Sequence, residues 1–277
     1  MSLKVPILTY HSMQIEGNDY ENNDHVALAE DLRFIHREGF RILPLHRIVE
    51  LWLRSPQQLA GERIVALTCD DGGDFDVVDL PHPVAGEQRS MLNILRDFRS
   101  ANEGELPGLS MTSFVIVSPE ARVILDQTCM IGKKWWNESW WGTAAATGLM
   151  TIANHSWDHN HPSVPAGEFE NVERGTFKSV DSERLADYQI AQASEYLWRV
   201  APNAGAALFG YPYGEVNDFL VKDYLPRRGE SLGLLAAFAD GAVPMTAGSD
   251  RWNIPRFVFR RDWRSHSDLR SILNDAR

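Results

Sequence analysis

The chain alternates between short, almost uninterrupted apolar runs and longer stretches in which apolar residues recur every three or four positions. Runs of the first kind are VPILTY (5–10), RIVALTC (63–69), TSFVIV (112–117), LMTIA (149–153), AALFGY (206–211), LGLLAAF (232–238) and IPRFVF (254–259). Their length and β-branched content predict strands buried on both faces. Between them, Leu28, Leu32 and Ile35 make one apolar helical face over 27–38, which Gly39 ends. Leu45, Ile48, Val49 and Trp52 make another over 45–53. Segment 182–199, with Asp181 as its N-cap, and SDLRSILNDAR, capped by Ser267, read as further helices. The polar, Pro- and Gly-rich stretch 72–90 reads as one long loop.

Strand–helix alternation of this kind implies a parallel sheet covered by helices. About seven such units in one chain predict a closed barrel. No internal repeat, low-complexity tract or linker divides the sequence, so 1–277 reads as one domain. A hydrophobic content of 44% with 23% charged residues can bury a full core. The net charge of −11 disfavours nucleic acid and anionic membrane as partners and suits a neutral sugar or small molecule. No apolar run nears the roughly 20 residues of a membrane span. Cys69 and Cys129 are too few for a disulfide framework, and Cys69, ending a strand-like run, reads as a small buried thiol. The opening MSLKVPILTY lacks a leader pattern, so the chain reads as cytoplasmic. A protein from which a leader had been removed would read the same, and would be periplasmic or extracellular.

The unusual polar residues fall just after the strands: His11, Asp70 and Asp71, His155, and Tyr211-Pro212-Tyr213. In a parallel barrel all strand C-termini open on one face, so these residues converge. His155 and His159, spaced by four, can share one face of a helical turn and offer two imidazoles to one cation. Asp70-Asp71-Gly72 alone reads as a turn, yet adjacent carboxylates repel unless a cation or a shared proton offsets them. Together the parts divide the work. Asp71, His155 and His159 would hold a divalent ion with positions left open, Asp70 would deprotonate water, and Gly72 would turn the backbone away. Such a set suits hydrolysis of an amide or ester, and a departing amine would need a proton from a nearby acid. Zinc fits two imidazoles and a carboxylate, as do cobalt, nickel, iron and manganese.

These residues carry a resemblance. LTCDDG resembles the first motif of the NodB-homology polysaccharide deacetylases, carbohydrate esterase family 4, usually written TFDDG. NHSWDH resembles their second, H-[ST]-x-x-H, and FGYPYG is similar to the third as found in the poly-N-acetylglucosamine deacetylase branch. PILTYHSM and EGFRILPLHRIVELW look like the N-terminal portion of that branch, and NIPRFVF like a late strand of the family. The likeness runs in order over almost the whole chain. It implies a distorted (β/α)7 barrel, NodB-like, that removes acetyl from an N-acetylated saccharide. It carries over Asp70 as base, Asp71, His155 and His159 as metal ligands, and Tyr213 as a groove residue whose backbone N–H helps hold the oxyanion, with Tyr211 beside it. The family's Leu-x-x-His acid is missing, and His266 sits in a polar segment that reads as a helix start. In the poly-N-acetylglucosamine branch a histidine of the first strand fills that role, and His11 matches it.

Three departures matter. Cys69 stands for phenylalanine, a packing change. Phe209-Gly210 stands where others keep an arginine that orients the base, which leaves Arg256 or Arg260 to do so. The proline after the second motif follows His161, so His161 replaces His159 as ligand if the turn is looser than a helix; the i, i+4 spacing favours His159. In KKWWNESWWGT (133–143), Trp140 and Trp141 read as core, and Trp136 as an exposed sugar contact. Asp158 would orient His11 or His155. Asp262-Trp263 resembles a family pair, while His25, His36, His46 and His82 read as surface or satisfied side chains. Two rival readings keep the barrel: a metal-dependent hydrolase of a small-molecule ureide or cyclic imide, and a silent sugar-binding protein.

Overall fold

The computed structural model describes residues 3–202 and 207–277. Seven parallel strands close on themselves: β1 (Ile7–His11), β2 (Ile64–Asp70), β3 (Met111–Val115), β4 (Met150–Asn154), β5 (Leu208–Gly210), β6 (Ala236–Asp240) and β7 (Ile254–Val258). Around the barrel the order is β1, β7, β6, β5, β4, β3, β2, and β2 pairs back onto β1. Each strand corresponds to one of the apolar runs. The fifth run begins at Ala206, outside the described residues, and the sixth strand starts four residues later than its run, because Leu232 belongs to the preceding turn.

Alternation along each strand divides the apolar side chains between two layers. Ile7, Ala66, Phe114, Ala153, Phe238 and Ile254 fill the lumen. Leu8, Tyr10, Val65, Leu67, Cys69, Met111 and Ile152 pack outward against helices α1 (Asp24–Arg37) and α3 (Met91–Ala101). Helix α2 (Leu45–Arg54) closes the N-terminal end of the barrel through Leu45, Ile48 and Val49. The short antiparallel pair Lys4–Val5 and Met245–Thr246 adds to that end. Helix starts follow local chemistry: Asn23 accepts the N–H groups of His25 and Val26, and Ser118 caps α4 (Pro119–Thr128), whose proline stands at the first turn.

Local readings change in several places. The terminal helix starts at His266 with Ser265, not Ser267, as cap, because the Ser265 hydroxyl accepts the Asp268 N–H. The helical stretch 183–200 is preceded by Ser182 rather than Asp181 and contains a π-helical turn, Asp187–Ala191. Segment 72–90 is no single loop: it holds a 3₁₀ turn, Asp74–Asp76, and a small hairpin, Leu80–His82 with Gly86–Gln88. Among the described residues, no helix is long and apolar enough to cross a membrane.

Phe238 is fully buried in the lumen, with its ring 5.8 Å from that of Phe114. Phe238→Ala should cost about 3–5 kcal/mol of stability, read as a lower urea midpoint at unchanged slope.

Candidate active site

Strand register builds the site. His11 and Asp70 are direct partners on β1 and β2, one pleat above the buried Thr9 and Thr68, whose hydroxyls meet at 2.8 Å. Both therefore end the inward-facing row of their strands, at the C-terminal mouth. Asp70 is 5% exposed and is gripped by the fully buried Arg256 of β7 through two hydrogen bonds, Nη1–Oδ1 at 2.7 Å and Nη2–Oδ2 at 2.9 Å. The guanidinium also lies over the Phe114 ring at 5.3 Å. Burial alone would raise the Asp70 carboxyl; the Arg256 charge and hydrogen bonds, with the nearby His155 and His11, together outweigh it and hold the group down at about 2. The group that orients this carboxylate is thus Arg256. Arg260 instead reaches Glu16 at 3.0 Å and Asp24 at 3.3 Å.

Beside this pair, Asp71, His155 and His159 each present one ligand atom within 4.8 Å of the others. Asp71 Oδ1 is 3.7 Å from His155 Nε2 and 3.6 Å from His159 Nε2. Donors bound at about 2.0–2.2 Å to one ion stand at separations of this size. His155 Nδ1 lies 2.8 Å from the Gly210 carbonyl, which can only accept. Nδ1 therefore carries the proton, and the Nε2 lone pair faces Asp71. Gly210 permits this approach: a Cβ there would meet the Phe114 ring at 2.9 Å and His155 Nδ1 at 3.3 Å. Burial pushes His159 well below the usual imidazole range, so it is neutral and able to ligate, while its buried Nδ1 has no hydrogen-bond partner among the described residues. One carboxylate and two imidazoles are a donor set that fits a divalent transition metal.

The turn that carries these histidines is not helical. Ser156, His159 and Asn160 have φ of 70°, 62° and 45°, so the expected i, i+4 helical face does not form. The loop is held from outside instead, by His155 N–H to the Val115 carbonyl at 3.0 Å, Ser118 N–H to that of Trp157 at 2.7 Å, and Trp157 N–H to that of Gln189 at 2.8 Å. The rings still meet, with centroids 5.0 Å apart. His161 points elsewhere, its Nε2 3.8 Å from Cys129 Sγ. Asp71 is itself left-handed, at φ 76°. Gly72, at φ 77°, follows it where a Cβ would strike Val115 Cγ1 at 2.5 Å. Non-glycine residues in this region cost about 1–3 kcal/mol each and persist where surroundings over-determine them.

Three expectations need correction. Trp136 is 7% exposed, not a surface sugar contact: its indole N–H needs a buried partner and donates to the Asp71 carbonyl at 3.1 Å. Tyr211 is fully buried, and its hydroxyl donates to the Trp252 carbonyl at 2.8 Å, so it does not face a groove. Asp158 orients neither His11 nor His155; Arg174, Gln189 and Tyr188 surround its carboxylate. Trp263 serves Asp31, to which its indole donates at 3.1 Å, and Asp262 caps the Val258 N–H at 2.6 Å. Tyr213, by contrast, is 37% exposed with its ring 4.4 Å from that of His159, on a left-handed turn at the mouth. His25 is buried, its ring nitrogens 2.8 Å from the Arg89 carbonyl and 2.7 Å from that of Ser12, one of which its N–H can bond in the neutral form that burial favours. A cavity of about 810 Å³ opens between α1 and α3, and no member of the triad lines it.

Residues that sequence reasoning passed over also shape the mouth. The Asp24 carboxylate accepts the His11 backbone N–H at 2.8 Å. Asp74 accepts from Asn137 N–H at 2.7 Å and the Trp140 indole at 3.2 Å, tying the tryptophan segment to the loop after β2. The available signal was the density of aspartates in DDGGDFD, too many for a plain turn.

Two outcomes follow. After equilibration with zinc and dialysis, His155→Ala and His159→Ala should lose the bound metal and His161→Ala should keep it, measured by elemental analysis. In metal-free protein, the Asp70 carboxyl at about 2 lies below its unfolded value near 3.9, so its ionised form stabilises the fold above about pH 4. That contribution, about 2–3 kcal/mol, is lost as pH falls toward 2. Arg256→Ala should remove this dependence and cost about 3–5 kcal/mol at pH 7, because it strands a buried charge; urea unfolding at several pH values checks both.

No family model and no curated protein matches the chain. Solved structures do. The Streptococcus pyogenes deacetylase PplD in complex with acetate superposes with a TM-score of 0.64 at 16% identity, covering 99% of both chains. The de-N-acetylase from Aggregatibacter actinomycetemcomitans gives 0.61 at 14%, covering 97% of this chain and 99% of that one. BC0361, a polysaccharide deacetylase from Bacillus cereus, gives 0.61 at 13%, covering 98% and 69%. At these identities the likeness is one of fold: the chain has the NodB-like (β/α)7 barrel of the polysaccharide deacetylases.

Proposed function

We propose that this protein is a metal-dependent N-deacetylase acting on an N-acetylated saccharide, its whole length forming one catalytic domain. The observation that carries the reading is the register pair His11–Asp70 standing beside the Asp71, His155 and His159 cluster. An acid, a base and an ion site share one strand-end face, and a sugar-binding protein needs none of them. Structures named as deacetylases share the fold, which supports an amide as the bond attacked.

Asp71, His155 and His159 would hold the ion, zinc being the best match to the donor set. When bound, the ion polarises the acyl carbonyl and acidifies water. Asp70, kept ionised and aimed by Arg256, accepts the proton of the attacking water. A carboxylate held this low is a weak base, so it needs an acidified nucleophile. The Tyr213 backbone N–H supports the developing oxyanion. His11, on the neighbouring strand, protonates the departing amine, and acetate and a free amino sugar leave. The exposed Tyr213 ring offers a face against which a sugar can pack.

Purified zinc-loaded protein should release acetate from chitin oligomers. Asp70→Asn should abolish turnover with metal content nearly unchanged, and His155→Ala should lose both. His11→Ala should lower kcat by about 10²–10⁴, the usual weight of a general acid. Full activity in Asp70→Asn would reject the base, and hydrolysis of cyclic ureides or imides without acetate release would reject the substrate class.

A further inference from the structure

Asp76 is the last residue of the 3₁₀ turn after β2, and it is completely buried. Its carboxylate collects contacts from three adjacent strands. Ser12 Oγ, just past β1, donates to Oδ1 at 2.5 Å, and Ser113 Oγ of β3 donates to Oδ2 at 2.6 Å. The Cys69 thiol of β2 lies 3.6 Å from Oδ1. Ser12 adjoins His11, and Cys69 adjoins Asp70. On its other side the Ser12 carbonyl lies 2.7 Å from His25 Nε2.

A buried carboxylate with no cation against it is an expensive way to hold a backbone. Burial pushes the Asp76 carboxyl up to about 7, although the Ser113 and Ser12 hydroxyls pull the other way. Above that pH the carboxylate is ionised and accepts both hydroxyls. A neutral amide of the same shape accepts on one side only, so one of the two serines would have to turn its hydroxyl and accept from the amide N–H instead. Two hydroxyls, one on each oxygen, therefore fix the carboxylate plane, and the plane fixes how far β1 and β3 stand from β2 at the mouth.

We propose that Asp76 is a positioning residue for the reaction: by holding Ser12 and Cys69 it sets the distance between His11 and Asp70. The inference rests on the deacetylase reading. Misplacing catalytic groups by about 1 Å can cost on the order of 10²-fold in rate. Asp76 itself touches neither substrate nor ion; it acts through its neighbours.

The test uses zinc-loaded full-length protein at pH 8, with acetate release from a chitin oligomer followed over a range of concentrations. Asp76→Asn should lower kcat about tenfold to a hundredfold. KM should stay within about threefold and metal content unchanged, because neither the ion site nor Tyr213 is touched. Ser12→Ala should lower kcat in the same manner, and the double variant should be no slower than Asp76→Asn, since both remove one linkage. A lower melting temperature with kcat unchanged in Asp76→Asn would make the residue merely structural and overturn the proposal. If Asp76→Asn does not fold, unchanged kcat in Ser12→Ala overturns it. Absence of acetate release by the unaltered protein would overturn the functional reading as well, whereas normal turnover in both variants overturns only the role of Asp76.

Discussion

Closure of the sheet is the constraint on which everything else hangs. β2 pairs with β1 along five residues, from Ile7 opposite Ala66 to His11 opposite Asp70. Side chains alternate strictly between lumen and exterior, so a slip of one residue would send both mouth residues outward and bring Tyr10 and Cys69 in. The apolar lumen residues Ile7, Ala66, Phe114 and Phe238 resist that slip. Packing at the centre of the barrel thereby determines which side chains reach its rim, and local partners such as Arg256 then fix how they stand there.

The loop after β2 then has an electrostatic problem to solve, since Asp70, Asp71, Asp74 and Asp76 fall within seven residues. Each meets a different environment. Asp70 has the Arg256 guanidinium; Asp74 has an amide N–H and an indole; Asp76 has two serine hydroxyls. Asp71 alone receives no hydrogen bond on its carboxylate from the described residues, and it faces two imidazoles that can accept an ion. The partition is physical: three carboxylates are satisfied by the protein, and the fourth stands where protein donors stop. A buried ion pair such as Arg256–Asp70 contributes little net stability over an apolar replacement. Its use is geometric, as a fork that leaves the carboxylate one orientation.

The barrel was legible because each of its strands is buried on both faces and so writes an unbroken apolar run. The residues at the strand ends were legible for the same reason, since polar groups there interrupt a pattern that has no other cause to break. The turn 155–161 was not. Its spacing suggests a helix, but Ser156, His159 and Asn160 take left-handed backbone imposed by contacts with Val115, Trp157 and Gln189, which no local rule foresees. The two imidazoles converge all the same, by a different route. The tryptophans misled in the opposite sense: an indole satisfies a sugar groove and a buried loop equally well, and Trp136 is committed by one hydrogen bond to the Asp71 carbonyl.

The replacement at the third motif shows how such a site can be rebuilt. The resemblance expects an arginine near Gly210 to orient the base, and the structure leaves no room there: even a methyl group would press on Phe114 and His155. Arg256 enters from β7 instead, with Phe114 beneath its guanidinium. Inside a narrow barrel, inward side chains from different strands reach the same volume, so the origin of a cation matters less than where its charge ends. Vacating position 210 has a second consequence, because it frees the Gly210 carbonyl to approach His155 Nδ1 and fix that ring's tautomer. Moving one arginine thus lets a single glycine serve the metal side of the site while the base keeps its partner.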